Sequence, residues 1–469
     1  MILERGAHLR PSANDRDASA IFKDGVFRPD EEWHDGQDAS FNPGNYYNVG
    51  GNSKFYGAVL IRYRKQDFDA IVHQGGKTPG WPISYDDLEP DYQAAETMYD
   101  VRGTLGGDPT EPRHSGTYPH GPVADEPDIA DLRARLKWAG LHPSTMPLGV
   151  DIDRWLAAGR TTWDAYPNTC GGKMDAETCG LATALRHDNV TLQTGCRVMA
   201  IDSNDKGQVT GVRYEKDGQS VALSAPIIVL AAGAVQTVAL LLSSANDNAL
   251  SGLANRSDQV GRNFMNHNSS AVLALHPFRR NRAVYQKTLM VNDYYLAKGD
   301  TPPLGNIQML GKITGPILAA SSKLPEWLAA PIAARSFDFY AMSEDLPNPD
   351  SRVTLRCGQI KLDWQRSNLA AHNTLVQTLK TALRRAGFPV VMSRPFDGRT
   401  PSHQCGTARM GADPMTSVVD TFCRSHDFKN LFIVDASVLP TSAAVNPALT
   451  IAALALRAGR HIVETEFAT

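Results

Sequence analysis

The stretch "NLFIVDASVLPTSAAVNPALTIAALALRAGRHI" (430–462) decides how this chain is read. An apolar strand ends at Asp435, small residues make a turn, and helical spacing begins at Asn446-Pro447. Asn as N-cap with Pro at the first helical position is a strong initiation pair. Leu449, Ala452, Ala453 and Leu456 give the helix one apolar face. Its N-terminus carries partial positive charge. The same grammar occurs upstream in "PIIVLAAGAVQTVALLLSSA" (226–245), where an apolar strand runs through small residues into a helix. Two such strand-turn-helix units predict a doubly wound α/β nucleotide-binding core assembled from distant segments. The stretch 276–399 then reads as an inserted second domain.

Working outward, "NVTLQTGCRVMAID", "GQVTGVRYEKDG" and "QSVALSA" are short β-branched strands punctuated by turn residues. Ser84 and Asp87 form a capping box ahead of a helix ending near Val101. "IADLRARLKWAG" (129–140) is an amphipathic helix closed by Gly140. Residues 7–45 read as a long polar loop. The apolar segment 315–335, broken by Pro325 and Pro331, reads as a lid or a helix pair.

The chain opens on "MILERG". A parallel strand ending in an acid is how dinucleotide folds hold the adenosine ribose, and Glu4 suits that role. Its usual companion is a G-x-G-x-x-G phosphate turn about 20 residues earlier. No two of the 38 glycines sit two positions apart, so that turn does not occur in this chain. The reading therefore expects an amino-terminally truncated fold.

The densest chemical signal is "SHQCGTARMGADPMTSVVD" (402–420) together with the segment that opens this section. A single His, or a single Asn-Pro, usually serves structure. His403 and Asn446 on segments flanking one α/β turn point to a site. His426, in "RSHDFKN", reads as a structural turn residue, and His267, in "GRNFMNHN", is a secondary candidate for the pocket.

These segments resemble the glucose-methanol-choline (GMC) oxidoreductases, FAD-dependent alcohol oxidases and dehydrogenases, over nearly the whole chain. "MILERG" is similar to the family's ribose-binding strand, which implies cofactor contact at Glu4. "NVGGNSKFYGA" resembles the loop over the flavin and places Gly50, Gly51 and Asn52 near the cofactor. "CRVMAI" resembles the strand that meets the adenine, at Val198. Asp435, Ala436 and Pro447 would line the FAD. "VLAAGAVQTVALLLSS" resembles the family's second signature, with Gln236-Thr237 in place of Ser-Pro. "NPDSRVTL" (348–355) resembles a substrate-domain strand. "GTARMGADP…SVVD" is similar to bacterial sugar and glycoside oxidoreductases of the family. The resemblance implies a Rossmann-like FAD-binding domain (1–75, 165–275, 400–469) and a substrate-binding domain on an antiparallel sheet (76–164, 276–399). It implies that His403 takes a hydroxyl proton, Asn446 holds the substrate oxygen, and a hydride passes to flavin. No histidyl-flavin attachment motif is evident, so FAD is expected to be non-covalent. The competing reading is a flavin-free remnant that binds only a ligand or partner subunit. The substrate would be an alcohol or sugar, with oxygen, a quinone or a cytochrome-bearing subunit left open as electron acceptor.

Composition narrows the classes further. The chain has 469 residues, 42% hydrophobic and 21% charged, with net charge −3. Basic residues are scattered, which argues against nucleic acid. The six cysteines make no C-x-x-C and no zinc spacing, so no metal site is expected. They read as structural thiols of a reducing compartment, with a cytoplasmic location expected. No apolar run is long enough for a membrane span.

Overall fold

A computed structural model describes residues 1–159, 165–322, 324–397 and 403–467. Ser402, the first residue of the carboxy-terminal motif, and the domain edge at 399–400 lie outside the described residues. Both expected strand-turn-helix units form. Ile228–Leu230 pairs in parallel with Leu431–Ile433, with Ile228 opposite Leu431. Leu431, Phe432 and Ile433 are completely buried, as an apolar run without alternation requires. Gly233, at φ +88°, turns the first strand into the helix Ala234–Ser243. A second parallel pair joins Ile2–Leu3 to Leu192–Gln193. Beside these lies an antiparallel meander of Arg197–Ser203, Val209–Lys216 and Gln219–Ser224.

The second layer is an antiparallel sheet. Among the described residues it has six strands in the order Val390–Pro395, Asn268–Leu275, Ser336–Ser343, Asn306–Met309, Leu289–Val291, Pro143–Thr145. Asn268–Leu275 and Ser336–Ser343 are buried along their whole length, so both faces of the sheet are covered. One face packs on the helix Leu369–Arg385 through Ala371, Leu375, Leu379 and Leu383. The other meets the segment 315–335, which forms two helices, Gly315–Ser322 and Glu326–Ala333, packed on each other. The strand Asn268–Leu275 carries this sheet back into the span 165–275, because its register with Ser336–Ser343 runs unbroken.

Two local expectations need correction. Residues 7–45 are not all loop: Trp33–Asp35 and Ser40–Phe41 pair, and Trp33–Asp35 also adds to Gln359–Asp363. Trp33 is 1% exposed, and burying that indole holds the strand down. The carboxy-terminal helix spans Ala448–Glu466 with Pro447, not Asn446, at the cap position. The Pro447 carbonyl accepts from Ile451, and the Asn446 side chain turns away from the helix. The helix buries Leu449, Ala453, Leu454 and Ala458 and packs on the helix Tyr85–Met98, whose Ser84–Asp87 capping box forms as read. Each buried leucine there contributes roughly 1.5–3 kcal/mol.

Candidate active site

His403 is placed by a short antiparallel contact. Met265 and Cys405 exchange backbone hydrogen bonds of 3.0 and 2.9 Å. In that register, residues two positions away on each side, His267 and His403, lie opposite one another. Gly406 secures the turn: at φ +93°, a Cβ on it would sit 2.3 Å from the Asn263 carbonyl oxygen. Its N–H donates to the Ala436 carbonyl at 3.2 Å, and the Thr407 hydroxyl donates to the Ala234 carbonyl. The "CGT" turn is thus clamped between both strand-turn-helix units.

Asn446 is placed by the buried loop 441–445. Trp81 Nε1 donates to Thr441 Oγ1 at 2.9 Å. The Ser442 hydroxyl donates to the Asp345 carbonyl at 2.9 Å, and Ala443 N donates to Glu344 Oε1 at 3.0 Å. Burial pushes the Glu344 carboxyl well above its ordinary range and that of Asp67 up to about 6. His73 Nε2 lies 3.4 Å from Glu344 Oε2, but burial lowers His73 to about 4. With the acid raised and the base lowered, this is a contact between neutral groups rather than an ion pair.

The two loops bring four side chains together. Asn446 Nδ2 lies 3.2 Å from His403 Nε2. Asn446 Oδ1 accepts from Gln308 Nε2 at 2.9 Å. His403 Nδ1 lies 2.7 Å from His267 Nδ1, and His267 Nε2 donates to the Ser442 carbonyl at 2.9 Å. Burial holds the His403 imidazole well below its ordinary value, with His267 and Lys287 adding repulsion of the charged form. Burial lowers His267 to about 4 against the opposing pull of the Ser442 and Ala443 carbonyls. Both rings are therefore neutral at pH 7, and a neutral imidazole can take a proton.

Sequence reading missed Gln308. Its signal was present in "NIQM" (306–309), where Asn306 and Gln308 share one face of a buried strand. His426 is tied to Ser417 Oγ at 2.9 Å and the Gly411 carbonyl at 3.2 Å, which makes it a turn-holding residue.

The residues expected at the cofactor lie on several separate elements. Asp435 caps the second turn, accepting from Ser437 N at 2.9 Å and Gly233 N at 3.0 Å. Ala436 accepts from Gly406 N, and Pro447 sits at the cap position of the helix Ala448–Glu466. Gly50 and Gly51 sit at φ +88° and +52°, and Asn52 folds back to accept from Tyr46 N at 2.8 Å. Val198 lies at a β-bulge opposite Tyr214. Glu4 is half-buried, its Oε1 accepting from Gly6 N at 2.7 Å. A Cβ on Gly51 or Gly233 would meet no atom within 4 Å, and Ala231 and Ala232 are exposed beside Gly233. No side chain caps the helix that starts at Ala448. Open small-residue turns and an uncapped helix start suit a dinucleotide, so the residues present fit FAD. Among the described residues no group of three or more His, Cys, Asp or Glu could hold a metal, and no helix is long and apolar enough to cross a membrane.

Comparison with known proteins finds relatives along nearly the whole chain. The chain is 28% identical to 6'''-hydroxyparomomycin C oxidase of Streptomyces lividus, over 98% of this chain and 86% of that one. It is 28% identical to paromamine 6'-oxidase of Streptomyces fradiae, with the same coverage. Among solved structures, pyridoxine 4-oxidase from Mesorbium loti superposes with a TM-score of 0.65 at 20% identity, covering 100% of this chain and 94% of that one. The fold is thus that of a Rossmann-like FAD-binding domain joined to a substrate domain, and the family models that match the chain imply a flavin cofactor. Two family models described as GMC oxidoreductase, an amino-terminal and a carboxy-terminal one, match this chain at residues 159–269 and 347–455.

Proposed function

We propose that the chain is an FAD-dependent oxidoreductase that oxidises a CH–OH group of a sugar or glycoside. The observation that carries this reading is the His403 Nε2–Asn446 Nδ2 pair, 3.2 Å apart beside the uncapped start of the helix Ala448–Glu466. An alcohol must lose a proton from oxygen and a hydride from carbon. His403 Nε2 takes the proton. Asn446 Nδ2 donates to the substrate oxygen, holding it while its negative charge develops. The hydroxyl enters between the two groups, so they part when substrate binds. FAD, bound without a covalent link, supplies the hydride acceptor. Asp435, Ala436, Pro447, Gly50, Gly51 and Asn52 would hold it, with Val198 and Glu4 at the adenosine end. The sugar or glycoside assignment rests on the two aminoglycoside oxidases among the relatives, read together with the 402–420 motif.

The test is direct. The purified protein is expected to be yellow and to reduce an artificial electron acceptor with one or more members of a sugar and glycoside panel. His403→Ala is expected to lower turnover by about 10²–10⁴-fold, the range general base catalysis supplies, with flavin content unchanged. Full turnover by a flavin-loaded His403→Ala protein would remove His403 from the role.

A further inference from the structure

The hydrogen bonds around His403 continue well beyond the pair, and both ends of the chain they form can only accept. At one end, the buried Asp108 carboxylate pairs with the Arg64 guanidinium. It accepts from Asn292 Nδ2 at 2.6 Å. Asn292 Oδ1 is then the free face of that amide, and it accepts from Asn306 Nδ2 at 2.7 Å. Asn306 Oδ1 accepts from Gln308 Nε2 at 3.1 Å, and the other Gln308 hydrogen goes to Asn446 Oδ1 at 2.9 Å. Each amide orientation forces the next, because an amide oxygen cannot donate. Asn446 is left with its NH₂ facing His403 Nε2, which must therefore be bare.

The other end gives the same answer independently. The Ser442 carbonyl can only accept, so His267 Nε2 carries a proton. His267 is neutral, so its Nδ1 is bare and must accept. The hydrogen in the 2.7 Å contact then belongs to His403 Nδ1. A neutral ring with its proton on Nδ1 has its lone pair on Nε2. Gln308 supports this polarity: both its hydrogens are used within the chain, and its Oε1 is left buried without a partner. A buried acceptor without a partner costs about 1–3 kcal/mol. The fold tolerates that while keeping the direction of the chain.

We propose that His267 is a positioning residue that fixes His403 in the Nδ1-protonated tautomer, with the amide chain from Asp108 through Gln308 to Asn446 matched to it from the opposite side. This rests on the reading of His403 as base and adds to it a defined donor, a defined acceptor and a named second histidine. His267 does not touch the reacting atoms. It acts by holding the proton where it leaves Nε2 available, as the orienting carboxylate does in hydrolase triads.

Two measurements on the flavin-loaded protein test this. In protein labelled with ¹⁵N-histidine, the resonances lost in His403→Asn identify His403, and its ring is expected to show a protonated Nδ1 and a bare Nε2. A wild-type ring with the proton on Nε2 overturns the proposal without any folded His267 variant being needed. In kinetics, His267→Leu, which cannot accept, is expected to lower kcat on the order of 10²-fold with KM within about twofold and flavin retained. His267→Asn offers an amide oxygen where Nδ1 stood and is expected to recover about tenfold of that loss. Equal activity in His267→Leu and wild type, or equal loss in the Leu and Asn variants, overturns it as well. His403→Ala separates the two claims. If that variant keeps wild-type turnover, the base reading falls. If it loses turnover while His403 of the wild-type protein shows the opposite tautomer, only the role of His267 falls.

Discussion

The neutrality of the site histidines comes from burial, and His372 tests that physics away from the chemistry. It lies on the helix Leu369–Arg385, 3% exposed, with Nε2 2.8 Å from Ser270 Oγ and Nδ1 3.1 Å from Ser343 Oγ. Burial, then the charge on Arg366, lowers it from 6.5 to about 4. The unfolded chain therefore binds a proton at this position before the folded chain does. The contribution to stability is complete above about pH 6.5 and is lost as pH falls toward 4. Between pH 7 and pH 5 the difference in proton binding integrates to about 2 kcal/mol, and at pH 5 unfolding takes up about one proton here. His372→Asn removes this linkage while keeping a side chain that can bond a serine. At pH 7 the variant is expected to be less stable by about 1–2 kcal/mol through its altered hydrogen bonds. At pH 5 that deficit should shrink by about 2 kcal/mol, and unfolding should take up about one proton fewer. Urea unfolding at the two pH values, with proton uptake measured alongside, reads both. A deficit equal at pH 7 and pH 5, with unchanged proton uptake, would show that His372 is charged in the fold and refute the burial argument for its neighbours.

The same physics sets the activity profile: with His403 held well below its ordinary value, the acid limb of kcat/KM is expected below pH 6.5, measured with an acceptor that does not itself titrate in that range. Asn446→Leu removes the donor to the substrate oxygen and is expected to lower kcat/KM by about 10²-fold with flavin retained, measured in the same steady-state assay. Arg62 is buried and bonded to Glu89 at 2.9 Å and Glu96 at 2.7 Å, so Arg62→Met leaves two carboxylates without their cation. It is expected to destabilise the protein by about 3–5 kcal/mol, seen as a lower unfolding midpoint.

The parts of the fold legible in the sequence were those with a local cause. Ser84 and Asp87 make their capping box because both partners lie within one turn, and Gly140 closes its helix at φ +89° because the left-handed region favours glycine. The apolar runs at 228 and 431 read as buried parallel strands because nothing polar interrupts them. Asn446 was misread for a related reason. Asn before Pro is a local cap signal, but Gln308 on a distant strand offers the amide oxygen a donor, and the ring of His403 takes its hydrogen. Tertiary partners outbid the helix end. Gln308 itself lacked a local cause altogether: a polar residue in a buried strand has meaning only once Asn306 on one side and Asn446 on the other are in place. His267 could be flagged but not assigned, since its role depends on the Met265–Cys405 pairing that sets it opposite His403.

His403 shows where the placement of the chemistry originates. It sits at φ +69°, in the left-handed region, where a side chain other than glycine is uncommon and strained backbone costs on the order of 1–3 kcal/mol. The motif "HQCGTARMG" (403–411) would relax if left to itself. The backbone is held instead by groups outside the motif: Met265 across the bridge, Ala436 at the end of one strand unit, Ala234 at the start of another helix. The imidazole therefore points at Asn446 because segments distant in sequence have docked on this motif. A protein whose docking is loosened should let His403 leave the left-handed region before it loses secondary structure. The His403–Asn446 contact is then the first thing the fold gives up, although the residues of the motif are untouched.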